Sequence, residues 1–155
     1  MKKNIIIDVP GDYEYRYDLI QEGEEVEVVG IIRAEIEGEY VLRIGVNHRG
    51  RKTKGRVKIR GIVERGASVK VDGLVRIEKE ADEADDVLDM KVLLLDDKAE
   101  AEVDPKMEIL ANNVKAAHAA SVGRIDEEQL FYLQSRGLDR QEAEKLIIRG
   151  FLEVK

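Results

Sequence analysis

Two histidines, no cysteine and a dense set of charges define the chemistry open to this 155-residue chain. Without a thiol there is no disulfide, no thiolate nucleophile and no thiolate metal site. A metal would have to rest on His48, His118 and carboxylates. His118 lies in NVKAAHAASVG, where Val114, Ala116, His118, Ala120 and Val122 fall on alternate positions. That period puts the imidazole on the apolar face of a strand, as a buried structural histidine or as a metal ligand at an interface. One neutral nitrogen makes a weak metal site without help from other donors. His48 stands in VNHRGRKTKG, at the boundary of a strand and a basic turn, and reads as structural or surface-exposed.

Arg49, Arg51, Lys52, Lys54, Arg56, Lys58 and Arg60 form the sharpest run of positive charge. A ribbon contacting phosphate or RNA is one reading. A solvated outer face is the other, with Val57 and Ile59 turned inward and the acid of a neighbouring segment balancing the charge. No aromatic residues interleave with the run, as base stacking would need, and the net charge of −7 also argues against nucleic acid. Gly50 and Gly55 have the spacing of a phosphate loop, but Arg56 and Val57 stand where its Lys and Ser/Thr are required. Ser68, Ser121 and Ser135 lack a nucleophile-elbow context. The acidic stretch 78–89, EKEADEADDVLD, has neither the glycine nor the final glutamate of a calcium loop and reads as a solvated loop. The chain does not read as an enzyme.

The elements that position these groups are mostly strands. Tyr13, Tyr15 and Tyr17 alternate with charge, as on an edge strand packed on a core. From residue 24 to about 120, apolar residues recur with period two and no helical period survives. Gly23, Gly30, Gly38, Gly50, Gly61, Gly66 and Gly73 read as separators, as do Asp96 with Asp97 and Asp104 with Pro105. Many short strands with such turns mean a sandwich, a barrel or a solenoid, and no fixed-period repeat chooses between them. Gly123 ends the last strand. Asp126 then caps a helix with Gln129 at its third position, ending at Gly137, and Asp139 caps a second with Glu142, ending at Gly150. The exit tail from Phe151 to Val154 is apolar enough to dock on the helices or reach a partner. The start, MKKNIIIDVPG, is too briefly apolar for a secretory signal, and the expectation is a cytoplasmic protein with no membrane span.

The runs VKAAHAASVG, DEEQLFYLQSRGL and EAEKLIIRGFLEV, with LLLDDKAE upstream, resemble the carboxy-terminal part of the SufB/SufD family, scaffolds of SUF iron–sulfur cluster assembly. The resemblance covers roughly residue 19 to the end, as a short form of the family. It implies a mainly β fold: a right-handed parallel β-helix over 1–122 and a C-terminal αα-hairpin over 123–155. It also implies a non-catalytic scaffold or accessory subunit that pairs as a homodimer or with a SufB/SufD-like partner, and a helical tail that contacts a SufC-type ATPase. Tyr132, Arg149 and Phe151 are then the partner-binding candidates with Phe131 beside them; the other reading is that Phe131 and Phe151 cement the hairpin to the β-helix. His118 matches a family histidine implicated in cluster assembly at the subunit interface. The family's cysteine two residues earlier is Ala116 here. No cofactor is therefore expected to be held stably by this chain alone, and iron or a cluster would be transient and shared with a partner. The alternative is a cysteine-less interaction module that no longer handles clusters and binds nucleic acid through 49–60.

Overall fold

The computed structural model describes residues 1–153, and among them nine strands precede two helices. The strands are β1 (Lys2–Ile7), β2 (Gly11–Leu19), β3 (Glu25–Ala34), β4 (Glu39–His48), β5 (Lys54–Val63), β6 (Ser68–Ile77), β7 (Asp85–Leu94), β8 (Glu100–Ile109) and β9 (Lys115–Arg124). The helices are α1 (Glu127–Ser135) and α2 (Arg140–Leu152). Odd strands form one sheet, β1-β3-β5-β7-β9, and even strands the other, β2-β4-β6-β8. Every pairing is parallel. The chain thus passes from sheet to sheet and climbs one strand per turn, a parallel β-helix of about 4 turns.

The period-two pattern is what builds the interior. In one column Val28, Val57 and Leu88 stack, all buried, and in the facing sheet Leu42 and Val71 do the same. Fully burying such a side chain stabilises by about 1.5–3 kcal/mol, so this filled slot is the main source of stability. Successive rungs are unequal. Val28, Val57, Leu88 and His118 follow at intervals of 29, 31 and 30 residues, and Tyr13, Leu42, Val71 and Val103 at 29, 29 and 32. Corner loops absorb the difference.

Several expected separators lie inside strands. Gly30 and Gly73 occupy inward positions of β3 and β6. A Cβ at Gly30 would meet Ile59 Cδ1 at 2.5 Å, and one at Gly73 would meet Leu88 and Met90 at 2.8 Å. Their missing side chains make room for larger neighbours rather than turns. Pro105 sits in the middle of β8, which is the edge of its sheet, where a residue without an N–H is tolerated. Gly123 does not end the last strand, because it pairs with Leu93 and β9 runs on to Arg124. α2 likewise passes through Gly150 to Leu152, carried over the roughly 1 kcal/mol glycine penalty by the burial of Leu152. Phe151 and Leu152 are therefore helical rather than an exit tail, and Val154 lies outside the described residues. No helix among the described residues is long and apolar enough to cross a membrane.

Candidate functional site

β9 and β8 are the last strands of their sheets, so each leaves one backbone edge unpaired. Ala116, His118, Ala120 and Val122 are in register with Asp86, Leu88, Met90 and Val92, all buried. His118 therefore stands in the inward column, on the apolar face the sequence assigned to it. Among the described residues no further rung covers that face, and His118, Ala120 and Val122 are exposed. The first rung is different. There Tyr13, Tyr15 and Tyr17 lie half-buried over the core, and the Tyr13 hydroxyl donates to the Val9 carbonyl at 2.8 Å. Burial, followed by the neighbouring Tyr15, raises the Tyr17 phenol above its ordinary value.

Among the described residues no group of three His, Cys, Asp or Glu side chains is placed to hold a metal, and a single imidazole beside Ala116 offers one donor.

The hairpin begins at once. Asp126 Oδ1 accepts from Glu128 N–H at 2.9 Å and caps α1. The reciprocal capping box forms only at α2, between Asp139 and Glu142. Gly137, with φ of 99°, turns the chain between the helices. A groove of about 790 Å³ separates the hairpin from the sheet, lined by Leu93, Ile125, Tyr132, Leu133, Leu146, Ile147 and Phe151, among others. Tyr132 is exposed, its ring 5.3 Å from the Arg136 guanidinium carbon. Arg149 is exposed and pairs with Glu153 at 3.8 Å. Phe151 is half-buried, with the Arg60 guanidinium carbon 5.9 Å from its ring centroid, so this residue does fasten α2 to β5. Phe131 does not cement anything: it is 75% exposed. Ile125 joins the groove from outside the quoted motifs, whereas Leu93 and Leu146 fall within LLLDDKAE and EAEKLIIRGFLEV, and Leu146 and Ile147 share a helical face with Ala143.

The basic run is matched by carboxylates of adjacent turns. Arg49 pairs with Asp18, Arg51 with Glu83 and Lys52 with Glu22. Lys54 pairs with Glu25, Arg56 with Asp85 and Arg60 with Asp89. Much of the acidic stretch 78–89 is thus the counter-charge of the basic one, stacked a turn away. Lys54 also holds the Glu25 carboxyl below its ordinary value, by hydrogen bond first and by charge second. His48 is structural, but it is fully buried rather than at the surface.

Comparison with known proteins agrees with this geometry. The family described as SUF system FeS cluster assembly, SufBD core domain, matches residues 13–151. The iron–sulfur cluster assembly protein SufD of Bacillus subtilis (strain 168) is 41% identical over 105 residues, covering 68% of this chain and 24% of that protein. SufD of Escherichia coli (strain K12) is 40% identical over 90 residues, 58% of this chain and 21% of its own. SufB of Bacillus subtilis is 34% identical over 106 residues, 68% of this chain and 23% of its own. The chain spans about a quarter of the length of these relatives. With a matching core domain, a parallel β-helix and the αα-hairpin behind it, the chain belongs to the SufB/SufD family of iron–sulfur cluster assembly proteins.

Proposed function

We propose that this chain acts as a non-catalytic scaffold subunit of SUF-type assembly in the cytoplasm. Its last rung meets a second SufB/SufD-type subunit, in the simplest case another copy, and its hairpin receives a SufC-type ATPase. One observation carries the pairing: among the edge strands, β9 lacks the charges that β2 and β8 carry. The edge strand β2 alternates Asp12, Glu14, Arg16 and Asp18 outward, the charged dressing that keeps an edge from pairing. From Ala116 to Gly123, β9 has no Lys, Arg, Asp or Glu, and its inward His118, Ala120 and Val122 are exposed. An edge without charge, left open beside an imidazole, suits strand addition. His118 would then touch iron or a cluster as cargo, with thiolates supplied from the facing subunit.

The ATPase assignment rests on Tyr132, Arg149 and the apolar groove at Phe151, a polar rim round an apolar slot. The nucleic-acid alternative loses support, since the run 49–60 has its charge compensated along the stack. Co-elution with the SufC-type ATPase of the same genome, with and without ATP, tests the proposal. A stable complex that weakens when Tyr132 and Arg149 are both replaced by alanine would support it. No complex under either condition would overturn the ATPase contact and leave an interaction module that handles no clusters.

A further inference from the structure

α2 covers only part of the outer face of the odd sheet. In β5 the outward Arg60 and Ile62 are buried, with the Phe151 ring against the Arg60 guanidinium. On the side away from β7 lie β3 and β1. There the outward Val29 and Ile31 are only half-buried, and Ile6 is 70% exposed. Ile6 and Ile31 are in register, so an apolar strip runs from the flank of α2 to the free edge of β1. The core has no use for Ile6, since Ile5 and Ile7 supply the buried contacts of β1.

Strip and helix meet in a groove of about 660 Å³, with Ile31 and Ile62 on the sheet side and Ile148 and Leu152 on the helix side. Two strands span about 10 Å, and helices packed side by side lie about 8–10 Å apart. The uncovered strip is therefore one helix wide. Along α2 the lining runs from Gln141 to Leu152, about 16 Å or three turns of helix. The rim selects the charge of an occupant. Arg33 of β3 and Lys145 of α2 line the groove from its two walls, and neither side chain has an ion-pair partner among the described residues. Most of the rim carboxylates are already engaged: Glu64 with Arg65 at 3.3 Å, Glu144 with Arg140 at 3.0 Å and Glu153 with Arg149 at 3.8 Å. Glu35, the remaining one, is outnumbered by the two cations.

We propose that this groove is the docking site of an acidic amphipathic helix from a partner protein. The helix has about three turns and lies beside α2, its apolar face on Ile6, Ile31 and Ile148 and its carboxylates toward Arg33 and Lys145. Its apolar residues recur at i, i+3, i+4 and i+7, the spacing that fills a groove. Laid there, it continues over β3 and β1 the helical layer that α2 begins over β5. The groove assigned to the ATPase lies on the other flank of α2, beside α1, so the two sites are separate and neither assignment rests on the other.

A fluorescently labelled helical peptide, with Leu at those positions and Glu on either side, tests this by anisotropy against the whole chain. It is expected to bind about tenfold tighter than the same peptide carrying Lys in place of Glu, and the gap should narrow in high salt. Arg33→Glu combined with Lys145→Glu should reverse the order of the two peptides, and Ile6→Asp should weaken both. All three side chains are exposed, so the variants should melt with the wild-type chain. Failure of the Glu peptide to bind, equal binding by the two peptides, or an unchanged order in the charge-reversed chain would overturn the proposal. Self-association of the wild-type chain that Ile6→Asp alone removes would overturn it too, because a second copy would then cover the strip.

Discussion

At the corner after β7, Asp96 Oδ2 accepts the Arg65 N–H at 2.5 Å, and Oδ1 accepts those of Lys98 and Ala99 at 2.9 Å each. These bonds, Arg65 first, hold the carboxyl below its ordinary value of 3.8. Arg65 itself has φ of 56°, a left-handed conformation that a non-glycine residue adopts only when the surroundings fix it. A carboxylate depressed in the native state contributes stability that is complete above its unfolded pKa and is lost as pH falls through the folded one. Acid titration below about pH 4 should therefore release this corner and lower the wild-type melting temperature. Asp96→Asn turns an amide donor toward a backbone donor, so it should melt lower than wild type at neutral pH and show a shallower fall in acid. Parallel acid curves for the two proteins would rule Asp96 out as the tie. The turn at Asp96 and Asp97 was legible from residue types. Its partner 31 residues away was not, and neither was the buried contact of His48 Nε2 with Asp86 Oδ2 at 2.8 Å, because the interval between stacked residues changes from turn to turn.

Local chemistry is readable within an element and fails where packing overrides it. The N-caps at Asp126 and Asp139, the turn at Gly137 and the inward tyrosines of β2 all follow from short-range rules. Gly30, Gly73 and Pro105 broke the same rules, since a column that needs space or an edge that needs no donor rewards those residues inside a strand. Gly150 is passed over for a similar reason. α2 ends at Leu152, which is buried, with Glu153 as its C-cap. The Arg60 guanidinium under Phe151 is nearly buried and also bonds Asp89 at 2.5 Å, so ring, cation and carboxylate form one fastening between helix and sheet. A cation over an aromatic face contributes about 0.5–1 kcal/mol, and the buried ring area adds to it. Phe151→Ala should accelerate amide exchange in α2 by roughly 5- to 30-fold, equivalent to 1–2 kcal/mol, while β3 and β5 keep their protection. Uniform acceleration through the β-helix would mean that the hairpin and the solenoid open as one unit.

On the scale of the whole molecule, a solenoid has two ends, and each must be capped or joined. Opposite charges about one turn apart, such as Glu25 with Lys54 and Arg56 with Asp85, are the sequence trace of the stack, but they show as a ladder only once the turn length is known. Exposed pairs of this kind contribute about 0.2–1 kcal/mol each, so they set register more than they hold the rungs together. At the last rung β9 carries no charge from Ala116 to Gly123, while β8 beside it keeps Glu100, Glu102, Asp104, Lys106 and Glu108. If a second copy covers that rung, folding is linked to assembly. The melting temperature should then rise with protein concentration, since each tenfold increase adds about 1.4 kcal/mol to the free energy of a dimer. Ala120→Lys places an ammonium in the joined column, where an unpaired buried charge costs several kcal/mol. The variant should be monomeric by light scattering, with a melting temperature independent of concentration. It should otherwise match the wild-type chain measured when dilute, because Ala120 is exposed in the single subunit. A wild-type chain that is monomeric at micromolar concentration, and melts alike at every dilution, would exclude self-pairing and assign the open rung to a different SufB/SufD-type chain.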